Sequence, residues 1–418
     1  MSYRERQKMD TTIKKKRMAD ATLTVQRADG TPLAHQELVI EQIRHKFLFG
    51  TAAFDLVPLA NGEYSGAELE RAEQRTEKLT AIFNAATLPF YWVSFEPQRG
   101  RPRTEQLRNA ARWCKQRNLW VKGHPLCWHT LTADWLLGMD IPEILRAQTV
   151  RIRREVDDFR GLIDAWDVIN EAVIMPIFDK YDNGLTRLCK EMGRIETIRA
   201  MFAAARQANP TALLLINDFD VSPAYDILVE GCLEAGIAID AIGIQSHMHQ
   251  GYWGVGKTLW ILDRFSRFDL PIHFTETTLV SGRLMPPEII DLNDYKVQDW
   301  PTTPDGEERQ AQETIRHYET LFAHPTVESI TWWDLCDGGW LNAPAGLLRK
   351  DGSTKPAYDE LLKRIKGEWW TGSLKLATDQ NGQVRFDGFL GDYELTLGGV
   401  RCSFTLTSPN AQAIEVRL

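Results

Sequence analysis

The sequence contains no run of about 18 consecutive apolar residues, the least that a membrane-spanning helix needs, so no membrane partner is expected. Its first twenty residues are charged throughout and lack the apolar stretch of a secretory signal. Cysteine is sparse. Cys114, Cys127, Cys189, Cys232, Cys336 and Cys402 are scattered and form no C-x-x-C pair. That spacing excludes a disulfide framework and a zinc ribbon, and makes a reducing, cytoplasmic setting the plainer reading. Positive charge is also in short supply: Asp and Glu outnumber Lys and Arg by 57 to 49, for a net charge of −8 at pH 7. A phosphate-binding surface wants the opposite sign, so no nucleic-acid partner is expected. The basic run Lys14-Lys15-Lys16-Arg17 lies in a polar N-terminal segment, residues 1–20.

What is present is the material of a folded chain: 43% hydrophobic and 25% charged residues, with 14 Trp, more than a core alone usually demands. At 418 residues the chain exceeds the roughly 250–300 at which one core stops growing, so a large domain and a smaller one are expected. Over residues 47–366, eight short runs rich in β-branched or aromatic residues alternate with segments of helical period. The runs are KFLFGTAA (46–53), TLPFYWV (87–93), LWVKGHPL (119–126), AWDVIN (165–170), ALLLIND (212–218), DAIGIQS (240–246), PIHFTE (271–276) and SITWWD (329–334). Eight βα units predict a (β/α)8 TIM barrel. A doubly wound open sheet is the alternative, but no G-x-G-x-x-G follows the first run. Thr104 is the expected N-cap of a helix over 104–118.

The flanks alternate instead. Residues 21–46 carry two alternating runs around Asp29-Gly30, and residues 367–418 carry strands punctuated by Asn381-Gly382, Leu390-Gly391 and Gly398-Gly399. Neither flank has strands enough to bury a face alone, so the two are expected to form one small β-sandwich into which the barrel is inserted. They resemble the start and end of a carboxypeptidase regulatory-like module; two unrelated caps on the barrel are the alternative.

In such a barrel, function is built from the C-terminal ends of the strands. That rule selects Asn170 and Glu171 at the end of run four, Glu276 at the end of run seven, Gln245 and His247 at the end of run six, His124 near the end of run three with Trp128 just beyond, and Trp333 at the end of run eight with Trp340 after it. Two carboxylates facing one mouth are what glycosidic cleavage requires, one to donate a proton and one to attack or support the anomeric carbon. Trp offers flat faces to sugar rings, and Asn, Gln and His offer hydrogen bonds to hydroxyls. A metal site on His124, His129, His247 and His249 is the competing reading. No suitably placed acidic ligand accompanies them, so no metal and no cofactor is expected. A carbohydrate-binding barrel without catalysis is a third reading, and it predicts loss of one carboxylate.

The runs GHPLCWH (123–129), WDVINEA (166–172), INDFD (216–220), IDAIGIQSH (239–247), PIHFTE (271–276), WWDLCDGGW (332–340) and KPAY (355–358) resemble, in order and spacing, glycoside hydrolase family 10, the β-xylanase family of the large retaining-glycosidase clan. The resemblance runs from about Phe49 to Tyr358. It implies a general acid/base at Glu171, a nucleophile at Glu276, and His247 hydrogen-bonded to that nucleophile. It implies Asn170 on the sugar 2-OH, and Gln245, His124, Trp128, Trp333 and Trp340 as the lining of the central subsites. Trp332 and His249 have no such support and are expected to be packing or rim residues.

The departures matter as much. Where the family carries T-P-E-N-x-M-K-W, this chain reads TLPFYWVSFEPQRG (87–100), with Phe90, Tyr91 and Trp92 in place of the polar grip on the non-reducing side. Tyr91 and Trp92 are therefore expected to line a shortened cleft. The expected substrate is a β-linked oligosaccharide or glycoside, with weak action on polymeric xylan.

Overall fold

The computed structural model describes residues 3–418, with side chains described from Gln7 onward; Met1 and Ser2 of the N-terminal segment lie outside the described residues. Eight parallel strands close into a barrel, the eighth pairing with the first and the seventh. They are Leu48–Ala52, Ala85–Pro89, Trp120–His124, Ala165–Asn170, Leu213–Asp218, Ala241–Met248, Ile272–Leu279 and Val327–Trp332, numbered one to eight below. Strands four and seven are buried at every position, as expected where helices cover the outer face and side chains fill the interior.

Several runs end differently from expectation: runs six and seven extend to Met248 and Leu279, and runs two, three and eight stop early, at Pro89, His124 and Trp332. Strand two stops at Pro89, and Trp92–Phe95 forms a short helix instead of continuing the strand. The carbonyl of His124 still receives the Phe90 N–H at 2.6 Å, but the turn beyond it points Phe90 and Trp92 into the barrel wall. Phe90 packs against Phe159 and Trp166, and Trp92 against Trp135 and the guanidinium of Arg151. Strand eight ends at Trp332, which is buried and donates its indole N–H to Ala345 O. Thr104 is the first residue of its helix, Thr104–Gln116, and Arg103 holds the N-cap position without a side-chain cap.

The expected polar N-terminal tail is a helix, Tyr3–Arg17. It is ordered by burial of Ile13 against the barrel and by Arg17, which donates to the carbonyls of Phe322, His324 and Val327. Those acceptors include carbonyls at the C-terminal end of helix Pro304–Ala323, where helical carbonyls run out of intrahelical donors.

The flanks meet in two sheets. One places Met18–Gln26 between Gln383–Phe389 and Gln412–Arg417; the other runs Leu374–Ala377, Glu37–His45, Gly391–Leu397, Val400–Leu406. Their inward residues, among them Leu23, Val25, Ile40, Tyr393, Leu395 and Leu406, share one core separate from the barrel's. Each half of the sequence supplies strands to both sheets, which is why neither flank buries a face alone. All six cysteines are free thiols.

Candidate active site

The carboxyl ends of the strands gather a dense polar cluster. Glu171 follows strand four with φ 57°, a left-handed backbone that costs about 1 kcal/mol or more outside glycine and swings its carboxyl into the mouth. Its N–H donates to Asn217 O at 2.8 Å, anchoring the turn on strand five. The Trp128 indole donates to Glu171 Oε2 at 2.8 Å, and the amide nitrogens of Asn170 and Gln245 lie 3.3 and 3.5 Å from Oε1. Burial pushes this carboxyl up to about 8, with Asp218 and Glu276 adding to the shift against the opposing indole bond.

Glu276, inside strand seven, has the opposite environment. His247 Nε2 donates to its Oε2 at 3.1 Å, Asn217 Nδ2 donates to its Oε1 at 2.9 Å, and His124 Nδ1 stands 3.9 Å away. Burial alone would raise it, but the facing His124, the His247 bond and Lys122 outweigh burial and hold it below the usual glutamate value. Two carboxyls in one mouth are thus pushed apart, one toward the acid and one toward the anion.

A chain of amides joins them. Gln245 Nε2 and Asn217 Nδ2 both donate to Asn170 Oδ1, at 3.0 and 2.7 Å, and each also faces one of the two carboxyls. Asn217 is held in turn by Thr275 Oγ1, which donates to its Oδ1 at 2.6 Å. Gly243 leaves room for this: a Cβ there would stand 2.4 Å from Asn217 Oδ1.

Beneath the cluster, His124 Nδ1 and Lys122 Nζ each donate to Asp167 Oδ2 at 2.7 Å, all three fully buried. Asp167 stays below the usual aspartate value because Lys122 and His124 overcome its burial. This pairing is what lets charged residues sit inside a barrel.

Aromatic rings wall one side. Tyr91 lies 5.8 Å from Phe54, 5.7 Å from His124 and 5.7 Å from Trp128, centroid to centroid. Trp333 stands 5.2 Å from both Phe54 and His124. Burial, with Glu276, Asp334 and Glu171 adding their charges, drives the Tyr91 phenol far above its ordinary value, so it stays a neutral donor. Trp340 covers His247 at 4.5 Å.

Of the residues selected from the sequence, Glu171, Glu276, His247, Asn170, His124, Trp128, Gln245, Trp333, Trp340 and Tyr91 converge here. Trp92 does not: it is 2% exposed, and its indole donates to Glu96 Oε2 at 3.1 Å. The strand pleat and the short helix after Pro89 put alternate aromatics on opposite sides of the wall. Among the described residues, no group of three or more His, Cys, Asp or Glu is placed to hold a metal ion. His247 is committed to Glu276, and His249 is buried between Trp300 and Trp340. Sequence reasoning missed Asn217, Lys122, Asp167 and Phe54. Asn217 could have been found by the same strand-end rule. Lys122 and Asp167 show as lone charges inside apolar strand runs, which demand a buried partner.

A closed parallel barrel presenting two opposed carboxyls among Asn, Gln, His and Trp is a glycosidase architecture. The model of glycosyl hydrolase family 10 matches residues 52–364, and the chain belongs to that family. It is 30% identical over 284 residues to endo-1,4-beta-xylanase B of Thermotoga neapolitana, covering 64% of this chain and 75% of that protein. It is 27% identical over 293 residues to an endo-1,4-beta-xylanase/feruloyl esterase of Xylanibacter ruminicola, covering 62% of this chain and 39% of that protein. The chain spans only 32% to 39% of the length of three curated relatives, two of them xylanases and the third an anti-sigma-I factor. In fold it is similar to xylanase 10B of Thermotoga petrophila, solved with xylobiose, with TM-score 0.62 and 23% identity, covering 76% of this chain and 94% of that one.

Proposed function

We propose that the chain is a retaining glycoside hydrolase that cleaves short β-linked oligosaccharides or glycosides by double displacement. The observation that carries the reading is the opposed polarisation of Glu171 and Glu276 across one amide network. In the first step a Glu276 oxygen attacks the anomeric carbon, the glycosidic C–O bond breaks, and the Glu171 proton passes to the departing oxygen. In the second, Glu171 takes a proton from water, whose oxygen attacks the same carbon and releases Glu276. His247 holds the nucleophile, and Asn170 presents its amide to the 2-OH. Gln245, His124, Trp128, Trp333 and Trp340 line the sugar at the cleavage point.

The restriction to short substrates is supported by Tyr91. Its ring stands on the side of the mouth where polar groups would grip further sugars, and it packs on Phe54, which packs in turn on Trp333. Polymer-cutting endo-1,4-β-xylanase action is the second reading, favoured by the names of the relatives.

Aryl β-xyloside, glucoside, arabinoside, cellobioside and xylobioside, each tested beside polymeric xylan with the first-formed anomer read by NMR, check the proposal. Retention with preference for a short glycoside supports it. Inversion, or rapid internal cutting of xylan, refutes it.

A further inference from the structure

The loop that follows strand seven is a built structure. Val280, Met285 and Trp300 form a small core with Ala343 and Ala345 of the loop after strand eight. Met285 N–H donates to His249 O at 3.0 Å, and the Gln250 amide donates to the carbonyls of Pro286 and Ile289. Beyond this base, residues Asp291 to Asp294 are tied on two sides. Trp340 Nε1 donates to Asn293 Oδ1 at 3.2 Å, and the same Trp340 ring covers His247. Lys180 Nζ reaches Asp291 Oδ2 and Asp294 Oδ1, each at 2.6 Å.

Lys180 belongs to the loop after strand four, the strand that ends in Glu171. Two residues earlier, Phe178 packs at 4.5 Å on His129, whose Nε2 is 4.0 Å from Glu171 Oε2. The segment is therefore touched by the loop after strand eight and by the loop after strand four, whose strands lie on opposite sides of the closed barrel.

We propose that residues 291–294, latched by Lys180, form a strap over the substrate groove and that Lys180, Asp291 and Asp294 set the length of sugar chain that reaches the carboxyls. This rests on the glycosidase reading above and deepens it. The latch is an exposed ion pair, so it is weak and salt-sensitive. A small glycoside slips beneath it, whereas a long chain must displace it. Tyr91 limits the glycone side by filling space; the strap limits access from above, and the two are separable.

The test uses 4-nitrophenyl β-xylobioside as the short probe and xylohexaose as the long one. It reads both cleavage and the association rate from tryptophan fluorescence. Lys180→Ala is expected to raise cleavage and association of xylohexaose by about threefold to fivefold while leaving the short probe unchanged. About 0.5 M salt should have the same effect on the intact protein and none on Lys180→Ala. The charge exchange K180D/D294K should restore discrimination, which a loss of local folding would not do. If the long-to-short ratio in both readouts is the same with and without Lys180, the strap is overturned. Faster association of xylohexaose in Lys180→Ala without cleavage of either probe would instead retain the strap and sink the hydrolase reading.

Discussion

The Asn170 side-chain oxygen accepts the Asn217 amide at 2.7 Å, while the same Asn217 nitrogen donates to Glu276 at 2.9 Å. Asn170 thereby has its oxygen occupied by protein, leaving its amide nitrogen toward Glu171 and the substrate. Asn217, which need not touch sugar, fixes both Glu276, the proposed nucleophile, and Asn170, proposed to hold the 2-OH. Asn217→Ala is expected to lower kcat by about a hundredfold with little change in KM, since it removes a preorganised donor while leaving the sugar contacts. Steady-state kinetics check this; a pure KM effect contradicts it.

Rate should follow the two carboxyls. Glu171 must be protonated and Glu276 ionised, so kcat/KM is expected to fall as pH rises through about 8 and to fall again below the ordinary glutamate range. Glu171→Ala should remove the alkaline limb. It should also slow substrates with poor leaving groups far more than activated aryl glycosides. Equal losses on both would rule out the acid role.

The same shift bears on stability. Glu171 is raised in the folded chain, so its contribution is fully present below the unfolded-state value of 4.5 and is lost as pH rises toward about 8. Glu171→Gln removes that cost. Its Tm relative to the parent should therefore be higher at pH 9 than at pH 4, as calorimetry at both pH values will show.

Tyr91 and Trp92 should separate cleanly. Trp92→Ala empties a buried site between Trp135 and Arg151 and is expected to destabilise by about 3–5 kcal/mol without altering which glycosides are cleaved. Tyr91→Ala should cost less stability and shift preference toward longer glycones. Denaturant titration paired with an oligosaccharide length series distinguishes the two residues, and identical behaviour would refute the assignment.

Much of this molecule was legible in the sequence because its signals are local. Eight apolar runs with helical segments between them require covered parallel strands, and residues at the run ends must face one mouth, so Glu171 and Glu276 could be named from spacing alone. The alternating flanks announced strands that needed partners. Which way each aromatic of TLPFYWV points was a different matter. The pattern does not reveal that strand two stops at Pro89 and turns into a helix, and that turn sends Tyr91 into the cleft and Trp92 into the wall. The N-terminal segment looked like a solvated tail because its buried Ile13 gains meaning only against the barrel. Protonation was equally out of reach. Glu171 and Glu276 are the same side chain, and only three-dimensional packing gives one an indole and apolar burial and the other two imidazoles and a buried lysine. The strap belongs to this second kind of information, since Lys180 and Asp294 lie 114 positions apart and meet only because the closed barrel brings their loops over one opening.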